Sequence, residues 1–154
     1  EGVKIQLIVR GICCLRTGVE GTNDNIEVRS IVGNFLEHAR IFYFENAGDP
    51  EVYMASADWM PRNLERRVEI LFPVLNAELK EKVLHVLDVQ LNDTQKAQFL
   101  QADGSYHKLE KQGKELCNAQ EEFCKEYMAL ASIKEKAEQQ ARTFKPEVNQ
   151  SQNN

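Results

Sequence analysis

Apolar residues follow two regimes along the chain. Up to Pro73 they come in short runs rich in Val, Ile and Phe, broken by Gly, Asn, Asp and Pro; from Ala77 they recur at helical spacing. Residues 3–9 predict a buried strand that ends at Arg10, just before Gly11. Gly18, Gly21, Asn23, Asp24 and Asn25 mark a loop over residues 15–25. Residues 26–28 predict a short strand, and Ser30 a cap for a brief helix to Leu36. The stretch 36–73 organises the rest. His38 opens a strand over 39–44, residues 52–55 form a second, and the short link between them makes an antiparallel hairpin. Ser56, Ala57 and Asp58 form its exit turn, Pro61 begins a short helix, and residues 68–72 form a third strand.

In the second half, Leu79, Val83, Val86, Leu87 and Leu91 give an amphipathic helix from Ala77 to about Asn92. Residues 97–100 and 106–109, around Asp103 and Gly104, predict a small hairpin. A long helix over 115–142 follows, with Leu116, Phe123, Tyr127 and Leu130 as its buried stripe. The polar residues 146–154 predict a disordered tail. This order implies an α/β domain over residues 1–145, a mixed sheet with flanking helices and a long C-terminal helix.

Composition adds three constraints. A length of 154 residues suits one domain with a real core, and a net charge of −5 argues against a nucleic-acid partner. No apolar run approaches the roughly 20 residues of a membrane span. Seven of the eight arginines lie at or before Arg67, whereas ten of the eleven lysines follow it. A guanidinium fork suits phosphate and carboxylate, so the split assigns anion recognition to the first half and scaffold to the second. Cys13, Cys14, Cys117 and Cys124 are too sparse for a disulfide framework, and read as reduced thiols. The chain begins at Glu1, almost within a strand, which reads as a piece of a larger protein.

His38 at one strand end, with Ser56, Asp58, Asn63, Arg66 and Arg67 at others, makes a candidate anion site. Each residue also has an ordinary role. A histidine at a strand start is commonly at the surface or hydrogen-bonded, and Arg10 suits a partly buried salt bridge. Ser56 and Asp58 suit a turn and a helix cap, Trp59 a core plug, and Arg62 and Arg66 solvated helix charges. His85 and His107 have no evident site role.

The spacing His38-x-Arg40-x4-Glu45 is a relaxed form of His-x-Lys-x4-Asp, the signature of the phospholipase-D-like superfamily. The words LIVRGICCL, LEHARIFYFENAGDPEVY and SADWMPRNLERRVEILFP resemble the C-terminal catalytic domain of bacterial polyphosphate kinases, the long histidine-dependent form. The resemblance covers residues 2–100 strongly and the last helix loosely. It implies reversible transfer of the ATP terminal phosphate to polyphosphate through a phosphohistidine. Two phospholipase-D-like domains would face each other, the phosphorylated histidine and the Mg2+-associated arginines lying on the one this chain lacks. His38 then matches the second domain's histidine, which contacts nucleotide phosphates and assists proton transfer. Arg10 then matches an arginine that contacts the nucleotide phosphates, and Arg67 another arginine that lines the site, both counted as ATP- and polyphosphate-binding. The resemblance further implies ATP, ADP and polyphosphate as ligands, preceding domains of the same polypeptide, and a homo-oligomer. Its setting would be the cytoplasm, or the periphery of the inner membrane. Arg40 and Glu45 replace the superfamily's lysine and aspartate, which leaves an ion-paired or outward Arg40 as open as a phosphate-holding one. A homodimeric phospholipase-D-like phosphodiesterase and a non-catalytic module acting through the last helix are the alternatives.

Overall fold

The computed structural model describes residues 2–21, 23–108 and 115–142, with side chains to residue 138. Its strands divide between two sheets. The first is mixed, with the order β1 (Ile5–Ile8), β2 (Ile26–Ile31), β6 (Ala97–Leu100), β7 (Tyr106–His107). β1 and β2 run parallel, and the other two pairings are antiparallel. The second sheet is an antiparallel meander of β3 (Ile41–Phe44), β4 (Glu51–Ala55) and β5 (Leu71–Pro73).

The first sheet carries the main apolar cluster. Ile31, Ala97 and Phe99 are buried together with Ile8 against them. Arg29, paired in register with Phe99, is buried on the same face, its guanidinium 4.7 Å from the ring centroid. It donates to the Leu91 carbonyl and to Glu27 Oε1, which ties β2 to the end of a helix. The loop joining the parallel strands is pinned from below: the buried Thr17 hydroxyl donates to the Leu100 carbonyl at 2.8 Å.

Three strand expectations are corrected. β1 is an edge strand with one neighbour, and its first half is exposed rather than buried. β2 runs on to Ile31, so Ser30 pairs with Gln98 in the ladder and caps no helix over 30–36. β5 begins only at Leu71, leaving Val68 fully exposed, because the backbone of Ile70 is bonded at both N–H and carbonyl to the Ser56 turn. The predicted hairpins at 39–55 and 97–107 are present, although Leu109 lies outside the described residues. The first hairpin turns through Asn46–Gly48, where Asn46 and Ala47 both have positive φ.

Helix α1 (Pro61–Leu64) starts on Pro61 as expected. Helix α2 (Ala77–Leu91) is capped by Asn76, whose Oδ1 accepts the Leu79 N–H at 3.0 Å. Helix α3 (Ala119–Arg142) begins four residues later than the spacing predicts. The cause is Asp93, buried at 4% exposure. Its Oδ1 accepts the N–H groups of Gln95, Lys96 and Ala97, and its Oδ2 that of Ala119 at 2.8 Å. Residues 115–117 instead run alongside Thr94, bonded to its backbone and hydroxyl. Cys117 therefore precedes the helix. All four cysteines are free thiols.

The chain forms two compact units, Glu1–Gln120 and Glu121–Asn154. The predicted buried stripe on α3 is not found: Leu116, Tyr127 and Leu130 are exposed, and Phe123 is partly covered. From Glu121 on, the described residues form one helix, with no second element among the described residues of this unit to bury an apolar stripe against. Among the described residues no helix is long and apolar enough to cross a membrane. The expected tail over 146–154 lies outside the described residues.

Candidate functional site

Arg10 follows the exposed edge strand β1, and His38 lies in the irregular segment between β2 and β3. β1 and β3 belong to different sheets, yet the segments that carry the two residues are hydrogen-bonded to each other. The Arg10 guanidinium donates to the carbonyl of Glu37, the residue before His38. His38 Nε2 stands 3.1 Å from Arg40 Nη2. A guanidinium only donates, so Nε2 is the acceptor in this contact and the ring proton belongs on Nδ1.

Arg40 is ion-paired. Its Nε donates to Asp58 Oδ1 at 2.9 Å, and the arginine side chain is 20% exposed. Hydrogen bonding to Arg40 holds the Asp58 carboxyl below its ordinary value of 3.8; partial desolvation opposes this, and the nearby charges of Arg40, Arg10 and His38 add to it. Arg40 is raised in turn, first by that hydrogen bond. Asp58 is therefore the carboxylate around which Arg10, His38 and Arg40 collect. It does not cap α1, whose N-cap is Met60 without a side-chain bond.

Arg67 stands apart. It lies exposed on the connection from α1 to β5, and no hydrogen bond or ion pair joins it to Arg10 or His38. Arg62 and Arg66 are likewise exposed. Ser56 bonds the Glu69 carboxylate and the Ile70 N–H, closing its turn. Asn63 is buried and donates to the Asp58 carbonyl at 3.3 Å, with its own Oδ1 unpartnered. Trp59, expected in the core, is 78% exposed and stacks on Phe42 with centroids 5.7 Å apart. Glu45 begins the turn at the far end of β3 from His38. An open groove of about 460 Å³ on the first sheet is lined by Arg10, Ser30, Lys96, Gln98 and Tyr106 among others, but by neither His38 nor Arg67.

Sequence reasoning missed the residues that hold this segment. The buried Gln120, in the first turn of α3, accepts the Phe35 N–H at 3.0 Å on Oε1 and donates from Nε2 to the Phe35 carbonyl at 2.7 Å. The same Nε2 reaches Glu37 Oε1 at 2.8 Å, while buried Gln90 of α2 donates to Glu37 Oε2 at 3.1 Å. Only Glu37, beside His38, carried any signal in the sequence; nothing local marks either glutamine.

Among the described residues, no group of three or more His, Cys, Asp or Glu side chains is placed to hold a metal ion. The one carboxylate of the cluster, Asp58, is already paired with Arg40.

A histidine and an arginine from separate strand ends, gathered beside a guanidinium–carboxylate pair, form the kind of charged site that handles phosphate-like anions. A family model described as "Polyphosphate kinase C-terminal domain 2" matches residues 1–120. The polyphosphate kinase of Lactiplantibacillus plantarum is 52% identical over 125 residues, which cover 81% of this chain and 17% of that protein. The polyphosphate kinase of Pseudomonas aeruginosa is 54% identical over 112 residues, covering 73% of this chain and 16% of its own length. The crystal structure of polyphosphate kinase from Porphyromonas gingivalis superposes with a TM-score of 0.76 at 38% identity, covering 88% of this chain and 20% of that one. The chain belongs to the polyphosphate kinase family, in the region of its C-terminal domain 2. It spans about a sixth of the length of these curated relatives.

Proposed function

We propose that this chain supplies a nucleotide- and polyphosphate-contacting half-site of a polyphosphate kinase. The enzyme would transfer the ATP terminal phosphate reversibly to inorganic polyphosphate, through a phosphohistidine on a domain outside this chain. The observation that carries the reading is that Arg10, bonded to the Glu37 carbonyl next to His38, and His38 itself both act by their charge on Asp58. Phosphoryl transfer rests mainly on positioning and on stabilising the charge of the moving group, which suits a fixed arginine and a histidine able to exchange a proton. Arg10 would bind phosphate oxygens, and His38, with its proton on Nδ1, would donate a hydrogen bond to them. Arg67, exposed and without an ion-pair partner among the described residues, would contribute charge from the α1–β5 connection. Arg40 is committed to Asp58 and acts on the site through His38. A cytoplasmic setting agrees with the four free thiols.

The test is a titration of the chain with short polyphosphate at two salt concentrations, together with incubation with labelled ATP. Binding on the order of millimolar is expected, since a charge-assisted contact contributes about 1.5–3 kcal/mol and ordering costs offset part of it. It should weaken with salt. Arg10→Gln and Arg67→Gln should each reduce it, with lysine restoring it only in part. The chain alone should neither make nor consume polyphosphate. Stable acid-labile labelling of His38, or turnover by the chain, would put the nucleophile here instead. Binding unchanged in both arginine variants would remove them from the site.

A further inference from the structure

We infer that Gln120, assisted by Gln90, is a positioning residue for the anion site: its amide fixes the chain between Gly33 and Glu37 and so sets where His38 and Arg10 stand. The inference rests on the reading of Arg10 and His38 as anion contacts. Its grounds are geometric and separate from that reading. Residues 32–40 belong to no strand or helix, and the backbone bond nearest His38 is that of the Ala55 N–H to the Arg40 carbonyl at 3.0 Å. The Gln120 amide stands in for a neighbouring strand, taking the N–H of Phe35 and giving to its carbonyl. Its donation to Glu37, with that of Gln90, ties both carboxylate oxygens of the residue before His38. The Glu37 carbonyl in turn receives Arg10. One chain of hydrogen bonds thus runs from the start of α3, through Glu37, to both candidate phosphate contacts.

Gly33 supplies an independent mark of the same device. A Cβ at Gly33 would stand 2.2 Å from Gln120 Oε1 and 2.7 Å from its Cδ. Contacts that close drive the amide out of its seat, so any side chain at this position displaces the group that holds Phe35. The glutamine and the glycine are therefore two handles on one contact, which a double-mutant cycle can separate from general stability.

The experiment uses the 154-residue chain labelled for NMR, with tripolyphosphate as the probe. Gln120→Glu, Gln120→Ala, Gly33→Ala and the Gly33→Ala/Gln120→Ala double variant are compared with wild type at a temperature where each is folded. Gln120→Glu keeps the side-chain length and the acceptor for Phe35, but puts an oxygen against the Glu37 carboxylate, so it reads positioning with little loss of packing. The single variants should weaken tripolyphosphate binding by about tenfold, the scale of one charge-assisted contact. The double variant should be no weaker than Gln120→Ala alone. Affinity unchanged in Gln120→Glu and Gly33→Ala while the melting temperature falls would make the clamp a packing feature only and overturn the inference. Strictly additive losses would do the same. Should the wild-type chain itself fail to bind tripolyphosphate, the half-site reading falls, and the positioning claim is decided by the resonances of His38 and Arg10. Their displacement in Gln120→Glu supports it, and unmoved resonances overturn it.

Discussion

Arg40 keeps the positive charge of the superfamily lysine but directs it at Asp58 rather than outward. This predicts two behaviours of Asp58→Asn. Because the Asp58 pKa is depressed in the folded chain, the pair contributes stability above the ordinary carboxylate value of 3.8, and that contribution is lost as pH falls through the lower folded value. The variant should therefore be less stable than wild type near neutral pH and converge with it in strong acid, as thermal melts across pH would record. It should also bind tripolyphosphate more tightly, since a carboxylate that repels phosphate is gone and Arg40 is released. Weaker binding would mean that Asp58 orients the cluster rather than restrains it. At this scale the sequence was informative about chemistry and silent about partners. His38 and Arg10 stand out by type and by their place at strand ends. Gln120 does not, because its partner Glu37 lies 83 residues away and an amide in a first helical turn looks like any solvated residue.

Elements were legible where their signals are local. The helical period of Leu79 to Leu91 and Pro61 at the start of α1 both read correctly, since each depends on neighbours within a turn or two. The helix placed at 30–36 failed for the opposite reason: Ser30 is a fair cap locally, but Ala97–Leu100 arrives from far along the chain and captures it as a strand residue. The start of α3 shows the same override, with Asp93 deciding it from outside the helix. Asp93→Ala strips the acceptor from four N–H groups, two of them buried. Each buried donor left unpaired costs about 1–3 kcal/mol, so a loss on the order of 3 kcal/mol is expected in urea unfolding. Asp93→Asn should cost less, because Oδ1 keeps its three donors and only the bond to Ala119 is lost. Equal losses in the two variants would show that the Ala119 bond alone carries the effect.

At the scale of the first unit, the two sheets differ in what holds them. The four-stranded sheet buries Val28, Ile31, Ala97, Phe99 and Leu100; its own Arg29 bonds out to the Leu91 carbonyl, and Thr17 of the loop before β2 bonds into it. The meander buries Val52 alone, while every residue of β5 is exposed and Phe44, Leu71 and Phe72 keep large apolar surfaces in solvent. No sequence pattern separates these cases, because IFYF and EILFP are as apolar as IEVRSI; burial depends on which face a neighbour covers. Local opening costs least where few apolar contacts must be broken. Amide hydrogen exchange on the isolated chain should therefore run faster in Glu51–Ala55, Leu71 and Phe72 than in Ile26–Ile31 and Ala97–Leu100. The predicted gap is about tenfold or more, equivalent to roughly 1.4 kcal/mol of opening free energy. His38 and Arg40 precede β3, at the edge of the weaker sheet, whereas Arg10 follows β1 of the stronger one. If the meander opens first, the site comes apart by loss of the His38 side while Arg10 stays in place, and the Gln120 amide is the bond that delays it. Equal protection in both sheets would mean that the first unit opens as one body, and the clamp would then have no separate motion to restrain.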